Sequence, residues 1–338
     1  MALYAIDNLD DAIDATRGFL LPFEPWTWVK LAVVVFFIGG VGANVPGFNF
    51  SSGTGVSGPD VNGVPVEVPT ELPAIPEYVV ALAIVLAVLA VVLAIVFAIV
   101  GAIMEFVFYR SLSEQAVSIR RYWSETWGKG LRLFAFRLGF GILVAVVFLL
   151  IVGIVALPFA FGINGFAIAA MFLVVLPLLF LVGVGAAIVY GFTTAFVAPI
   201  MLMESVGVLE GWRRFGPTLR GAWKQYLAFA VAVLVINIAL GIAAAFVVGI
   251  LALLLAIPFV LVGVGLYLLF SPLGTVGIVT LAALVLAFLA IVFTVALLVQ
   301  VPLVTYVRYY GLLVLGDTDS RFDLIPEQRA AIRADADV

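Results

Sequence analysis

The feature that most constrains the fold is a series of long apolar runs without a charged side chain. Residues 78–104 contain no Asp, Glu, Lys or Arg, and neither do residues 225–307. A helix rising about 1.5 Å per residue needs about 20 apolar residues to cross a hydrocarbon core of roughly 30 Å. The chain is 65% hydrophobic and only 11% charged, too little polar material for a water-facing surface. The sequence therefore predicts an all-α, polytopic membrane protein.

Six apolar tracts are long enough to be crossings of a helix bundle. They are residues 28–45, 78–108, 131–157, 166–203, 226–270 and 278–307. The fourth tract contains Pro177 and Pro199, and proline interrupts the helical hydrogen-bond ladder, so we expect a kinked and tilted helix there. The fourth and fifth tracts each exceed one crossing. We expect six spans, with eight as the alternative if both long tracts fold back.

The positive charges indicate which side of the membrane each loop occupies. In the six-span arrangement all sixteen Lys and Arg residues fall on one face, six of them in residues 110–137 and four in residues 213–224. The Gly-, Ser- and Pro-rich residues 46–77 carry none. Loops rich in Lys and Arg stay cytoplasmic. We therefore expect both termini on the cytoplasmic side of the cell membrane and residues 46–77 outside.

The expected organisation has three parts. These are an N-terminal amphipathic cytoplasmic segment (1–25), a transmembrane domain (26–310) and a cytoplasmic tail (311–338). Within the transmembrane domain we expect an external loop at 46–77 and cytoplasmic helical stretches at 109–130 and 204–224. A glycosylation sequon begins at Asn49, and the sequence leaves its use open.

The two cytoplasmic stretches resemble each other at an offset of 93 residues, which predicts an internal repeat. The aligned segments are Arg120-Arg121-Tyr122 and Arg213-Arg214-Phe215. Parallel repeats occur in transporters, although duplication also produces plain scaffolds. The candidates for contacts with lipid headgroups are Arg120, Arg121, Arg213 and Arg214. The alternative is that these stretches only pack over the ends of the spans.

Few residues inside the spans could carry chemistry. Glu105 lies near the end of the second span and Arg137 near the start of the third. An unpaired charge within a membrane is costly, so we expect an intramembrane pair, either on a proton or substrate path or purely structural. The fifth tract predicts a close helix-packing face at four-residue spacing: Asn237, Gly241, Ala245 and Gly249.

The absence of Cys and His excludes several kinds of chemistry. Disulfides, thiolate nucleophiles, imidazole bases and His or Cys metal ligands cannot occur. The sequence also lacks a Walker loop, a nucleophile elbow, a paired acidic metal motif and a dinucleotide fingerprint. We therefore expect no enzyme activity, no cofactor and no nucleic acid partner. Membrane lipids are the expected partners, and a protein partner or a second copy of the chain remains open.

Three segments resemble an uncharacterised family of multi-pass membrane proteins from haloarchaea. They are DDAIDATRGFLLPFEPWTWVKLAVVVFFIGG (10–40), RRYWSETWGKGLRLFAFRLGFG (120–141) and RFDLIPEQRAAIR (321–333). Residues 196–223 are also similar to the membrane domain of some bacterial glycerophosphodiester phosphodiesterases, but the chain lacks their soluble barrel, so no hydrolase activity is implied. A pI near 4.9 and Asp-rich tails fit a salt-loving host. The haloarchaeal resemblance implies a fold and a location, and it implies no activity.

The sequence favours a membrane-embedded scaffold or accessory subunit that contacts lipid headgroups or a protein partner. The alternative is a transporter or permease-like protein that uses the internal repeat, with Glu105 and Arg137 on its path. A membrane-embedded enzyme acting on lipid is disfavoured, because acid–base side chains are so sparse in the spans.

Overall fold

The computed structural model describes residues 4–39, 77–160, 165–269 and 274–336, and these residues form helices without any strand. The α-helices are α1 (Tyr4–Leu20), α2 (Pro25–Gly39), α3 (Glu77–Ser113), α4 (Ile119–Ala160), α5 (Gly165–Phe192), α6 (Ala198–Glu204), α7 (Val208–Gly221), α8 (Trp223–Leu269), α9 (Thr275–Thr318) and α10 (Pro326–Ala336). A π-helical segment (Thr193–Val197) joins α5 to α6, and a 3₁₀ turn (Ser320–Phe322) precedes α10. Nearly all of the predicted external loop, including Asn49, lies outside the described residues.

Five passages in the described residues are long and apolar enough to cross a membrane. They are Tyr78–Ser113, Ile119–Ile154, Met171–Glu204, Trp223–Leu269 and Thr275–Thr318. Helix α2 has 15 described residues and is shorter than a crossing, and residues 40–45 of the first predicted span are outside the described part. The multi-pass architecture thus has five candidate spans, and the six-span count stays a prediction. Neither long tract folds back among the described residues, because α8 continues through Pro258 and the π segment joins α5 to α6 without a turn.

Most of the packed core lies at one end of the bundle. We call this region the hub: α1, the start of α2, the end of α3 (102–113), the start of α4 (119–137), residues 190–230, the end of α9 (301–318) and the chain after it. Five tyrosines in the hub are fully buried: Tyr109, Tyr122, Tyr226, Tyr309 and Tyr310. The ring of Phe196 lies 5.3 Å from Phe215 and 4.8 Å from Phe229. The hub therefore resembles the aromatic core of a water-soluble domain.

The other ends of the long helices bury little surface within the chain. We call them the arms: residues 78–99 of α3, 138–154 of α4, 171–188 of α5, 231–269 of α8 and 275–299 of α9. Every side chain from Tyr78 to Val96 is exposed. The arms of α8 and α9 pack together through a small cluster of Val248, Val292 and Ala296. Such exposure is expected where lipid, rather than protein, surrounds an apolar helix.

Close backbone approach links the helices inside the hub and at its edge. A Cβ atom on Gly130 of α4 would lie 2.7 Å from the Cα atom of Ile103 on α3. A Cβ atom on Gly101 would lie 2.5 Å from the carbonyl oxygen of Phe37 on α2. These positions need glycine because no larger residue leaves room for the neighbouring backbone.

Helix α1 forms as an amphipathic helix. The sequence predicts Ile6, Leu9, Ile13 and Leu20 as its apolar stripe, and of these only Leu20 is fully buried. The buried positions are Asn8, Ala12, Ala15, Thr16 and Leu20. Ile6 is 57% exposed and Ile13 is 38% exposed. The small residues let α1 approach α9, where the Asn8 amide donates a hydrogen bond to Asp317 at 2.9 Å. A polar bond and close packing thus decide which face is buried, in preference to the larger apolar side chains.

The two predicted cytoplasmic stretches have different local structures. Residues 109–130 are the end of α3, a turn and the start of α4, which continues into the arm without a break. Residues 204–224 contain the separate helix α7. Each stretch contains one residue with a positive φ in the turn before its helix: Gln115 at 50° before α4, and Ser205 at 55° before α7. The likeness between the stretches is therefore local, and an internal repeat of the fold stays a prediction.

The predicted packing face on α8 does not meet another helix among the described residues. Asn237, Ala245 and Gly249 are exposed, and a Cβ atom on Gly241 or Gly249 would meet no atom within 4 Å. The Asn237 amide donates to the carbonyl of Val233 in its own helix at 2.8 Å. Helix α8 instead turns Ala244 and Val248 inward. Small residues at four-residue spacing indicate that a helix can pack closely, but they do not choose which face does so.

Candidate functional site

Three charged side chains from three helices meet where the hub joins the arms. Glu105 lies on α3, Arg137 on α4 and Arg308 on α9. Glu105 is 1% exposed, so its carboxylate is removed from solvent. We call these three residues the charge layer. They meet there because each lies at or near the hub end of a charge-free run of its helix.

Each oxygen of the Glu105 carboxylate faces a different guanidinium group. Oε2 lies 3.3 Å from Nη2 of Arg137, and Oε1 lies 2.7 Å from Nη2 of Arg308. The arginine side chains are 16% and 15% exposed, respectively. Ion pairing of this kind offsets the desolvation cost of burying the carboxylate. Removing one of the partners would destabilise the protein, because a buried charge would be left uncompensated.

The π-helical segment contributes an acceptor to the charge layer. In the π register the N–H group of Ala198 bonds to the carbonyl of Thr193. The carbonyl of Thr194 would next need the N–H group of residue 199, which is a proline and has none. The Tyr109 hydroxyl donates to that carbonyl at 2.8 Å. The side-chain oxygen of Thr194 in turn accepts a hydrogen bond from Nη2 of Arg137, also at 2.8 Å.

Aromatic rings lie against both guanidinium groups. Arg137 lies 4.8 Å from the ring centroid of Tyr190, and Arg308 lies 5.6 Å from that of Tyr109. Cation–π contacts of this type stabilise an arginine that has lost part of its water shell. The Nε atoms of Arg137 and Arg308 are nevertheless buried without a hydrogen-bond partner in the described part of the chain. Oε1 of Glu105 is a buried acceptor of the same layer that also lacks a well-directed hydrogen bond, although Nη2 of Arg308 lies 2.7 Å from it.

The position of the charge layer matches one bilayer thickness on the α4–α5 pair. Residues 138–160 of α4 rise about 34 Å beyond Arg137, and residues 165–189 of α5 rise about 37 Å before Tyr190. A hydrocarbon core is roughly 30 Å thick. The α4 and α5 arms are therefore each long enough to cross a hydrocarbon core starting from the charge layer.

The structure ties three of the four predicted headgroup arginines to carboxylates. Arg121 lies 3.3 Å from Glu125 and Arg213 lies 3.2 Å from Glu210, while Arg214 pairs with Glu204 and Glu210. Arg120 is exposed and has no partner in the described part of the chain. Two further arginines share that property, Arg132 and Arg220. Sequence reasoning missed those two because it followed the repeated Arg-Arg motif.

A nearby turn holds its carboxylate in the charged form. The Arg110 guanidinium donates to Glu114 at 2.7 Å and holds the pKa of that carboxyl below its usual value. The Tyr122 hydroxyl donates to the other oxygen of Glu114 at 2.8 Å. The turn between α3 and α4 is thus fixed by a local network, which accounts for the acidic residues among the basic ones.

The chain after α9 closes back onto the hub through a second charged cluster. Arg329 pairs with Asp317 at 2.8 Å and also with Asp323, while Arg333 pairs with Asp317 at 2.6 Å and with Asp11 of α1 at 3.1 Å. A surface cavity of about 350 Å³ adjoins these arginines. The cluster fastens α1 and α10 to the end of α9.

The structure brings the predicted Glu105–Arg137 pair together and adds Arg308, which the sequence had counted only among the cytoplasmic positive charges. The sequence did contain a signal for this contact. Glu105, Arg137 and Arg308 each lie at the end of a charge-free run, so one carboxylate and two arginines occupy matching ends of three helices. The predicted headgroup arginines and the predicted packing face lie elsewhere, at the surface of the hub and on the α8 arm.

Residues 3–325 match a family of unknown function, DUF7544. The chain belongs to this family. The match covers nearly the whole chain, in agreement with the expected likeness to an uncharacterised family, and it does not test the haloarchaeal or phosphodiesterase likeness. No match is found among curated proteins or among solved structures. DUF7544 carries no assigned activity, so a function must be argued from the hub, the arms and the charge layer.

Proposed function

We propose that the protein is a membrane-embedded scaffold or accessory subunit, with arms that cross the cell membrane and a hub at its cytoplasmic surface. The observation that carries this proposal is the contrast between a tightly packed hub and arms that bury almost nothing within the chain. An assembly of this kind anchors and orients a surface for other molecules. Both termini belong to the hub, so this placement puts them in the cytoplasm, in agreement with the positive-inside rule.

The polar side chains of the arms support this proposal over a transporter. Asn237, Thr280 and Thr294 each donate to a carbonyl four residues earlier in their own helix. The cavity between the arms of α8 and α9 measures about 240 Å³ and is lined by apolar side chains such as Phe259 and Phe288. A transporter needs a polar route across the bilayer, and the described arms offer none.

Two groups of hub segments differ in charge, and we call the more basic group the basic side. Residues 105–137 and 204–224 together carry ten basic and five acidic side chains. Residues 1–30 and 308–338 together carry six basic and eleven acidic side chains. On the basic side, Lys129 of α4 donates to the carbonyl of Leu202 at 2.9 Å and so joins the two basic stretches. The basic side is the surface suited to anionic headgroups, through Arg120, Arg132 and Arg220.

A flux measurement in sealed proteoliposomes tests the scaffold against the transporter. Vesicles are loaded with a pH-sensitive dye or with an anion-sensitive dye, and a gradient of protons or chloride is imposed. We expect no flux above that of protein-free vesicles. Flux that is present in the wild type and lost in folded Glu105→Gln protein would overturn the scaffold proposal and support the transporter.

Sidedness is tested separately with the variant Ser124→Cys, because the native chain has no cysteine. Ser124 is exposed on the hub. We expect a membrane-impermeant maleimide to label it in inside-out vesicles and not from outside intact cells. Labelling from outside would overturn the cytoplasmic placement.

A further inference from the structure

We infer that the charge layer is a binding site for a phosphate group, carried by an anionic phospholipid headgroup or free in solution. This inference rests on the proposed placement of the hub at the membrane surface. It names a ligand class for Glu105, Arg137 and Arg308 together, beyond the headgroup contacts expected at the hub surface.

The first argument is the charge of the layer. Both oxygens of the Glu105 carboxylate already face an arginine, so this carboxylate cannot neutralise both guanidinium groups. The acidic side chains of the adjoining turn, Glu114 and Glu125, pair with Arg110 and Arg121. One positive charge in the layer therefore remains without a counter-ion in the described part of the chain. An uncompensated charge at a membrane boundary favours the binding of an anion.

The second argument is the number of unused hydrogen-bond donors. A guanidinium group has five N–H donors in a planar fork. Arg137 uses Nη2 towards Glu105 and Thr194, whereas Arg308 directs Nη2 at Glu105 and also hydrogen-bonds to the Tyr109 hydroxyl. Neither Nε atom has a partner among the described residues, and both are buried, so a ligand from outside would meet the exposed remainder of each arginine. Phosphate oxygens match such a fork in geometry and in charge, and they form short, charge-assisted hydrogen bonds with it.

The third argument is access. Glu105 is 1% exposed, whereas the side chains of Arg137 and Arg308 remain 16% and 15% exposed. The arginines can therefore be reached from outside while the carboxylate cannot. Tyr190 lies against Arg137 and is 48% exposed. Tyrosine is typical of the membrane interface, where its ring meets acyl chains and its hydroxyl meets headgroups.

The fourth argument is depth. The α4–α5 arms extend about one hydrocarbon thickness beyond the charge layer. Phosphate groups of the inner leaflet lie at the edge of that hydrocarbon. The layer is thus at the depth of a phospholipid phosphate, and free phosphate can reach the same depth from the cytoplasm.

The test measures the thermal unfolding midpoint of delipidated protein in detergent at increasing ligand concentration. The ligands are inorganic phosphate, dioctanoyl phosphatidic acid and, as a headgroup without net charge, dioctanoyl phosphatidylcholine. We expect phosphatidic acid or inorganic phosphate to raise the midpoint, and phosphatidylcholine to leave it unchanged. A response to phosphatidic acid alone identifies a lipid headgroup, and an equal response to inorganic phosphate identifies free phosphate as a ligand.

Variants separate a binding role from a purely structural one. Glu105→Gln lowers the starting stability but removes the carboxylate that competes for the arginines. We expect its apparent affinity for the phosphate ligand to rise on the order of tenfold, since hydrogen bonds to charged groups have this strength. The neutral triple variant Glu105→Gln, Arg137→Gln and Arg308→Gln should lose affinity by at least the same factor. Arg17→Gln, on the exposed surface of α1, is the matched control and should bind as the wild type does.

The inference is overturned if Glu105→Gln binds no more tightly than the wild type, or if the folded triple variant binds as well as the wild type. Should the triple variant fail to fold, the Glu105→Gln affinity still decides the question. Failure here leaves the scaffold proposal intact, because that proposal is tested by flux and sidedness. Conversely, flux through the vesicles would overturn the scaffold while leaving phosphate binding measurable.

Discussion

The two ends of helix α4 show how the hub and the arms differ. At the hub end, Gly130 touches the backbone of α3 so closely that no Cβ atom fits. Further along the same helix, Gly153 has no atom within 4 Å of a Cβ atom. Both ends belong to one continuous helix, although the hub end carries charged side chains and the arm end carries none. The hub end packs against other helices of the protein, whereas the arm end is exposed to whatever medium surrounds the protein.

This difference teaches that apolar sequence alone does not locate the core of a membrane protein. Inside a bilayer, lipid tails solvate a leucine as well as another helix does, so association needs close packing or polar bonds. The hub has both, in its glycine contacts and its ion pairs. The arms have few of either in the described residues. Substitutions in the hub should therefore cost stability, and equivalent substitutions in the arms should not.

The largest expected effect comes from the aromatic core of the hub. Phe196→Ala should lower the free energy of unfolding by about 3–5 kcal/mol, because a fully buried ring leaves a cavity. The matched arm variant is Phe148→Ala, whose ring is 48% exposed. Denaturation in one detergent, followed by circular dichroism, measures both. Equal losses in the two variants would contradict the division into hub and arms.

A smaller effect is expected from adding a methyl group to the glycines of α4. Gly130→Ala should cost about 1–3 kcal/mol, because the new methyl group meets Ile103 and forces α3 and α4 apart. Gly153→Ala should be neutral or slightly stabilising, since alanine favours a helix more than glycine does. The same unfolding measurement applies. The comparison fails if Gly153→Ala is the more damaging of the two.

A still smaller effect on the stability of the hub depends on pH. Arg321 donates to Asp319 and holds the pKa of that carboxyl below its usual value, with help from the Thr218 hydroxyl at 3.0 Å. The Asp319 carboxyl therefore binds a proton more readily in the unfolded chain than in the folded hub. The resulting stability is complete above about pH 4, the usual pKa of an unfolded Asp, and is lost as pH falls through the lower folded value.

Replacing this carboxylate should reduce the acid sensitivity of the hub. Asp319→Asn should cost about 1 kcal/mol at pH 7 and should show a smaller further loss at pH 3 than the wild type. Unfolding midpoints at the two pH values measure this. Identical pH profiles for the wild type and the variant would show that Asp319 does not contribute to the acid sensitivity of the hub. Arm variants such as Phe148→Ala should keep the wild-type profile.

The smallest effect is expected at the surface of the hub. Arg213 is 81% exposed and pairs with Glu210 at 3.2 Å. Exposed ion pairs contribute little, so Arg213→Gln should leave the unfolding midpoint within experimental error. A clear loss of stability would show that α7 is held by its charges rather than by its buried side chains Val208 and Phe215.

Much of the arms could be predicted from the sequence, because a long charge-free run leaves few options other than a membrane helix. The Glu105–Arg137 contact was predictable for a related reason, since two lone charges at the ends of antiparallel neighbours have few other partners. The contact of Arg308 was not, because it requires knowing that α9 returns beside α3. That arrangement depends on the packing of the whole hub.

The faces of α8 and α1 that are buried among the described residues could not be predicted for a different reason. Both predictions ranked faces by residue size and polarity alone. On α8 the buried face is the one that packs against Val292 and Ala296 of α9. On α1 the buried face is the one that carries Asn8, which hydrogen-bonds to Asp317. Partners that lie far away in the sequence decided each case.

The central claim is that the membrane boundary lies at the charge layer, and cysteine labelling along α4 tests it most directly. Four exposed positions serve as probes: Ser124, Arg132, Leu143 and Leu150. All four face away from the protein, so only the surroundings can distinguish them. In inside-out vesicles, a membrane-impermeant maleimide should label single cysteines at Ser124 and Arg132. It should reach those at Leu143 and Leu150 only after detergent is added. Labelling of Leu143 and Leu150 as fast as Ser124 in intact vesicles would contradict the account.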